Sequence, residues 1–384
     1  MRKLKIMSIF GTRPEAIKMA PLVNALAKEE NFISTVVVTA QHREMLDQVL
    51  GLFSIKPQHD LNIMQAGQSL FDITCRVLKG LEEVLEKEKP NMVLVHGDTT
   101  TTFAASLAAF YKNVPVGHVE AGLRSGNIYS PFPEEMNRKL TGEIASLHFA
   151  PTPNAKENLL QGGVSEENIY ITGNTVIDAL LSTVKKDYQF TDPKLNTIDF
   201  ENNRIILVTA HRRENLGTPM ENIFQALTLL HEEFKDIEIV FPVHKNPLVR
   251  ELAFKVLGEY ERIHLIEPLD YEPFANLMAQ SYLILTDSGG LQEEAPALGK
   301  PVLVLRENTE RPEAVKAGTV DLVGTNTEKI FMIAKNLLAN DEIYGKMEKA
   351  VNPYGDGKSS QRIVDSLKYY FKVSKNRPED WKSL

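Results

Sequence analysis

Tyr282–Glu313 reads Y-L-I-L-T-D-S-G-G-L-Q-E-E-A-P-A-L-G-K-P-V-L-V-L-R-E-N-T-E-R-P-E. Leu283, Ile284 and Leu285 make a short apolar run, the pattern of a strand buried on both faces of a parallel sheet. Asp287-Ser288-Gly289-Gly290 turns the chain, and the two glycines tolerate positive φ and close approach of a ligand. Leu291–Leu298 continues as a helix that Pro296 should bend. Pro301–Leu305 returns as a second buried strand. The stretch is therefore part of an open α/β sheet with a glycine turn at the carboxyl end of a strand. Ligands collect at that end, and the N–H groups of a helix start favour phosphate. A tight connection with no ligand would use the same glycines. Glu294 is placed to accept from a ribose diol, and Arg306 and Arg311 should bring positive charge to this edge.

The totals narrow the field. A chain of 384 residues accommodates two or three domains. With 43% hydrophobic and 24% charged residues it has the composition of an ordinary soluble protein. A net charge of −8 argues against general nucleic-acid binding, so cations for an anionic ligand must be concentrated locally. The single cysteine, Cys75, excludes an internal disulfide and a Cys-rich metal site, and fits a reducing compartment. The first apolar run stops at Gly11 and meets Arg13 and Glu15, too early for a signal-peptide core, and no run is long enough to span a membrane. No H-E-x-x-H, clustered His/Cys set, G-x-G-x-x-G or P-loop pattern occurs, so neither a metal nor NAD is expected.

From the start of the chain, strands are expected at Leu4–Phe10, Ser34–Thr39, Met92–Val95, Pro115–His118, Leu147–Ala150 and Ile169–Thr172. The turn Gly11-Thr12-Arg13-Pro14-Glu15 leads into a helix over Ala16–Lys28, with Thr12 as cap and Pro14 in the first turn. Arg13 and Lys18 then sit at the carboxyl edge of the sheet. Two successive strands run into carboxylates, Asp98 and Glu120. In an open α/β sheet such carboxylates lie in the crevice by position alone, although each by itself also suits a helix cap. After the rigid Pro131-Phe132-Pro133, Glu134 begins a helix and shares a face with Arg138.

The pattern then resets. Lys185–Asn203 is polar and reads as a linker. Strands follow at Arg204–Thr209, Glu238–Pro242 and Ile263–Ile266. His211, with Arg212, Arg213 and Glu214 directly after it, should face a wet anionic site. His244 opens a turn-like His-Lys-Asn-Pro. Ser359–Lys372 is an amphipathic helix expected to cross back to the first domain. The boundaries read as 1–172 with 358–384, and 173–357.

In register along nearly the whole chain, seven motifs resemble one family, the non-hydrolysing UDP-N-acetylglucosamine 2-epimerases of bacterial type. They are G-T-R-P-E-A-I-K-M-A-P-L from Gly11, G-D-T-T-T-T from Gly97, H-V-E-A-G-L-R-S from His118, P-F-P-E-E-M-N-R from Pro131, T-G-N-T from Thr172, H-R-R-E-N from His211 and D-S-G-G-L-Q-E-E from Asp287. The resemblance implies a GT-B-like fold, two Rossmann-like domains facing a cleft, in a cytoplasmic homodimer. It implies interconversion of UDP-GlcNAc and UDP-ManNAc without a cofactor, supplying ManNAc for cell-surface polysaccharide. It assigns nucleotide contacts to Phe274, Ser288, Gly289, Gly290, Glu294 and Arg311. Sugar and diphosphate contacts fall on Arg13, Lys18, Asp98, Glu120 and His211. Catalytic acids fall on Asp98, Glu120 and Glu134, with Arg138 and His211 beside them. Some members bind a second UDP-GlcNAc as activator; Gln41 and His244 match that site, while Gly67 stands where those members have arginine. Leu269 also departs from the glutamine of some members. A GT-B glycosyltransferase, a hydrolysing epimerase and a nucleotide-sugar sensor share parts of the same pattern.

Overall fold

The computed structural model describes residues 3–40, 43–65 and 67–382. Contacts divide the chain into two α/β units. Residues up to Ser182 with those from Tyr354 onward form the first, and Thr183–Pro353 the second.

The first unit is built on a seven-stranded parallel sheet. Its strands are β1 (Leu4–Phe10), β2 (Phe32–Val38), β3 (His59–Asp60), β4 (Met92–His96), β5 (Val116–Val119), β6 (Leu147–Ala150) and β7 (Ile169–Ile171), in the order β3-β2-β1-β4-β5-β6-β7. The order reverses between β1 and β4, so the ends of those strands and of β5 border a topological switch point. The apolar runs follow from burial on both sheet faces: Met7, Ile9, Val93 and Val95 are fully buried under the Leu70–Glu88 and Thr100–Tyr111 helices.

The second unit repeats the winding with β8 (Arg204–Thr209), β9 (Ile237–Pro242), β10 (Ile263–Ile266), β11 (Leu283–Thr286), β12 (Val302–Val304) and β13 (Val320–Leu322), in the order β10-β9-β8-β11-β12-β13. Its switch point lies between β8 and β11, where Thr286 is in register with Thr209. The turns after these two strands are those carrying His211 and Ser288.

Several local features differ from the sequence reading. Lys185–Asn203 is not a free linker, because Phe190, Leu195 and Ile198 are buried and Lys194 Nζ donates to the Leu265 carbonyl at 2.7 Å. Past Gly290 the chain is α-helical only over Leu291–Glu294 and tightens to a 3₁₀ turn over Ala295–Leu298. Pro296, which has no N–H, sits at the start of that tighter turn. The Thr175–Thr183 helix belongs largely to the first unit. Its Asp178 accepts from the backbone N–H groups of Ser359 (3.1 Å) and Ser360 (2.7 Å), at the start of the Ser359–Tyr370 helix. That final helix packs on the Arg13–Lys28 helix, with Lys368 Nζ 2.7 Å from Glu29. No described helix is long and apolar enough to cross a membrane.

Gly11 shows how tightly the β1 turn is set. A Cβ there would stand 2.0 Å from Thr39 Oγ1 and 2.8 Å from Thr101 Oγ1. Gly11→Ala should therefore lower the thermal unfolding midpoint, at a cost of about 1–3 kcal/mol for overpacking. Adding Thr39→Ala, which removes the nearest atom, should recover part of the loss. A midpoint equal to the parent's for Gly11→Ala alone contradicts this packing.

Candidate active site

In the first unit the carboxyl ends of β1, β4 and β5 bring several charged side chains together. The turn after β1 is closed by Glu15, a residue the sequence reading passed over despite its Thr12-x-x-Glu15 spacing. Its buried carboxylate accepts from Gly11 N (3.0 Å), Thr12 N (2.8 Å) and Thr12 Oγ1 (2.8 Å). Its other oxygen takes Thr99 Oγ1 (2.7 Å) and Thr102 Oγ1 (3.0 Å) from the turn after β4. Burial pushes its pKa up against these hydrogen bonds. Glu15 thus latches two strand ends together and orients the helix that carries Arg13 and Lys18. Arg13 opens that helix and makes no ion pair among the described residues.

Glu120 follows β5 with φ +62°, a conformation that costs a non-glycine residue about 1–3 kcal/mol and is found at functional sites. Lys18 forms an ion pair with its carboxylate, and Asn174 Nδ2 donates to the same oxygen at 2.8 Å. The His96 imidazole, fully enclosed at the end of β4, lies with Nε2 3.7 Å from Glu120. Desolvation drives the His96 pKa down to about 4 even though Glu120 pulls the other way, so the ring is neutral at ordinary pH.

Asp98, two residues past β4, is gripped by Arg138, and Asn137 Nδ2 donates to its carbonyl at 3.0 Å. Burial raises the Asp98 pKa; Arg138 opposes the rise and Glu120 adds to it. Arg138 does not use its i−4 neighbour Glu134. Its second nitrogen instead takes Glu135 at 3.1 Å, because two carboxylates withdrawn from water draw the guanidinium fork inward. Glu134 is the first residue of the Glu134–Ile144 helix, one turn before Arg138.

In the second unit the turns after β8 and β11 are joined by Asp287, which is fully buried and had no assigned role in the sequence. Its Oδ2 accepts from the backbone N–H groups of His211 and Arg212, both at 2.8 Å, and from Asn215 Nδ2 at 3.1 Å. His211 Nδ1 lies 3.4 Å from Asp287 Oδ1, and the ring stacks on His244 with centroids 5.1 Å apart. Desolvation lowers the His211 pKa, Asp287 opposes, and His244 adds to the lowering. Its place directly after the apolar Leu283–Thr286 run and before Ser-Gly-Gly was the sequence signal that could have identified it.

Ser288 donates its N–H to Thr286 Oγ1 at 2.9 Å, which shapes the glycine turn. Neither Gly289 nor Gly290 has positive φ; Gly290 is helical at φ −64°. These glycines leave space instead: a Cβ on Gly289 would lie 3.8 Å from Arg212 Nη2 and from Glu310. Glu294 accepts from the Tyr271 hydroxyl at 3.4 Å, and Phe274 lies on the same Tyr271–Gln280 helix. The expected cationic edge is corrected by the ion pairs. Arg306 is clamped between Glu214 (2.8 Å) and Glu310 (2.9 Å), and Arg311 pairs with buried Glu293. Their charge is largely compensated on the spot, and the Arg212 guanidinium lies beside Gly289. Gln41 lies outside the described residues. His244 is exposed and accepts from Asn246 N at 3.1 Å. No cluster of metal-binding side chains occurs among the described residues.

Residues 24–368 match the family model described as UDP-N-acetylglucosamine 2-epimerase. A UDP-N-acetylglucosamine 2-epimerase of Bacillus subtilis is 58% identical over 381 residues, covering 99% of each chain. A Staphylococcus aureus protein solved with UDP is 54% identical at a TM-score of 0.87, over 99% of this chain and 100% of that one. A UDP-GlcNAc 2-epimerase of Neisseria meningitidis, solved with UDP-GlcNAc, is 52% identical at a TM-score of 0.84, over 95% and 99%.

His118 and His148 are in register on β5 and β6, while His96 at the end of β4 is one position out of register with His118. Burial lowers the pKa values of His96, His118 and His148 to about 4, about 3 and about 4. As pH falls from about 6.5 to about 4, and for His118 to about 3, the unfolded chain binds protons that these rings refuse. Their contribution to stability is therefore complete above about pH 6.5 and declines as pH falls through that window. Imidazole NMR resonances of the three should still report the neutral ring at about pH 5; a midpoint near the ordinary value of about 6.5 contradicts their burial.

Proposed function

The chain belongs to the UDP-N-acetylglucosamine 2-epimerase family and is an isomerase of that kind, and from this we propose how its residues divide the reaction. The substrate is UDP-GlcNAc and the product UDP-ManNAc. The hydrogen at the sugar C2 has no adjacent carbonyl to acidify it, so a free carbanion is not a workable intermediate. Elimination avoids one. A carboxylate takes the C2 proton, the C–H electrons form a C1=C2 double bond, and the C1–O bond breaks with its pair going to UDP. The intermediate is 2-acetamidoglucal. A second carboxyl group returns a proton to the opposite face of C2, and the UDP oxygen re-forms the bond to C1.

The observation that carries this reading is the pair of carboxylates at the ends of adjacent strands, each with its own cation: Asp98 with Arg138 and Glu120 with Lys18. Inversion requires proton exchange on two faces of one carbon, hence more than one acid–base group. A placed base or acid contributes about 10²–10⁴-fold. Asp98, Glu120 and Glu134 share that work. Burial raises the Asp98 pKa above the ordinary carboxylate value, with Arg138 opposing the rise and Glu120 adding to it, which favours proton exchange at this carboxyl group. The leaving diphosphate needs stabilisation of comparable size, and one preorganised donor contributes about 2.7–4 kcal/mol. Arg13, His211 and the Ser288-Gly289-Gly290 turn take that role. Phe274, Glu294 and Arg311 hold the uridine. The enzyme works as a homodimer without a cofactor and supplies ManNAc units for cell-surface polysaccharide.

Incubation with UDP-GlcNAc in D₂O should place deuterium at C2 as UDP-ManNAc accumulates, followed by NMR. Free ManNAc and UDP would instead mean hydrolysis, and an unchanged spectrum would leave glycosyl transfer or sensing. Asp98→Asn, Glu120→Gln and Glu134→Gln should each lower turnover by about 10²–10⁴-fold while calorimetry shows UDP binding retained. Near-normal turnover in all three removes the assignment.

A further inference from the structure

Glu135 is buried to 0% exposure in the first turn of the Glu134–Ile144 helix, a position where an acidic residue ordinarily faces solvent and complements the helix dipole. Its side chain turns inward. One oxygen accepts both Arg138 Nη1 at 3.1 Å and the backbone N–H of Ser125 at 3.0 Å. The other oxygen is buried without a hydrogen-bond partner, as are Arg138 Nε and Thr141 Oγ1 on the same helix face. Stability does not favour this arrangement, since replacing a buried, incompletely bonded ion pair by apolar side chains is commonly neutral or better. The geometry has another consequence. Arg138 reaches Asp98 with one arm of its fork, and Glu135 holds the other arm. Arg124, at the start of the same loop, is half-buried and adds a second positive charge near Glu135.

We propose that Glu135 is a positioning residue: its carboxylate fixes the Arg138 guanidinium on Asp98 and ties the loop at Ser125 to the helix that carries Glu134. The inference rests on the functional reading above. Glu135 touches no reacting atom; it acts through Arg138. Without it the guanidinium regains rotamer freedom and Asp98 loses a fixed partner, so the effect falls on turnover rather than on nucleotide binding.

The test is a double-mutant cycle of Glu135→Gln and Arg138→Met, with kcat, KM and UDP affinity measured for each. Glu135→Gln should lower kcat by about 10- to 100-fold, the scale of a misplaced catalytic group, with KM and UDP affinity unchanged. In the Arg138→Met background the same substitution should have no further effect on kcat. An unchanged kcat in Glu135→Gln, or a full additional loss in the Arg138→Met background, overturns the proposal; the second result would make Glu135 a merely structural group. Should Glu135→Gln fail to fold, Glu135→Met with Arg138→Met, which removes both buried charges, is compared with Arg138→Met alone. Equal rates support the proposal and a slower double variant overturns it. Parental turnover in Arg138→Met removes the functional reading itself, whereas loss there with parental turnover in Glu135→Gln removes this inference alone.

Discussion

A carboxylate taken out of water at the end of a parallel strand has to find fixed partners, and in this molecule four of them organise the surrounding turns. Glu15 is met by hydroxyls and backbone N–H groups from two turns. Glu120 is met by Lys18 and Asn174, Asp98 by Arg138, and Asp287 by the N–H groups of His211 and Arg212. Desolvation of such groups is expensive, and removing one partner leaves the remaining charge exposed to the full penalty. Each therefore locks the conformation of its neighbours. Positions of reactive side chains in both units follow from these locks more than from the loops themselves.

The two units use the device differently. In the first, the buried charges are close to one another, so their protonation states are linked: Glu120 raises the Asp98 pKa while Arg138 lowers it, and His96 stays neutral beside them. That suits chemistry in which protons move. In the second, Asp287 spends its hydrogen bonds on backbone N–H groups and one amide, so it serves geometry. It sets His211 and the glycine turn at a switch point where donors can face an anion. The cations nearby are mostly compensated by Glu214, Glu310 and Glu293, which limits non-specific attraction of anions and leaves recognition to directed hydrogen bonds.

Much of the scaffold was legible because it depends on short-range pattern. Apolar runs bounded by glycine and polar turns mark strands buried on both faces, and β1, β8 and β11 lie close to where the runs place them. Thr99 caps the Thr100–Tyr111 helix by a local contact of the kind neighbouring residues set, its hydroxyl accepting from Thr102 N at 3.1 Å. Partnerships across the fold were not legible. Glu134 and Arg138 have the spacing of a helix pair, yet Arg138 turns to Asp98, whose position is set by another strand. Arg306 and Arg311 looked like available cations until Glu214, Glu310 and Glu293 were brought beside them. Polar Lys185–Asn203 looked like a spacer, but Phe190 and Phe200 stack at 5.3 Å and bury its apolar side.

The sequence alone determined two successive α/β patterns and the residue types at the strand ends, because periodicity, turn chemistry and residue order are properties of neighbours along the chain. The tertiary structure alone decided which charges meet: Glu120 with Lys18, Asp98 with Arg138, and Glu135 behind them. Those encounters join residues separated by up to 102 positions, and the low dielectric that gives them their strength exists only once the sheet and its helices have closed over them.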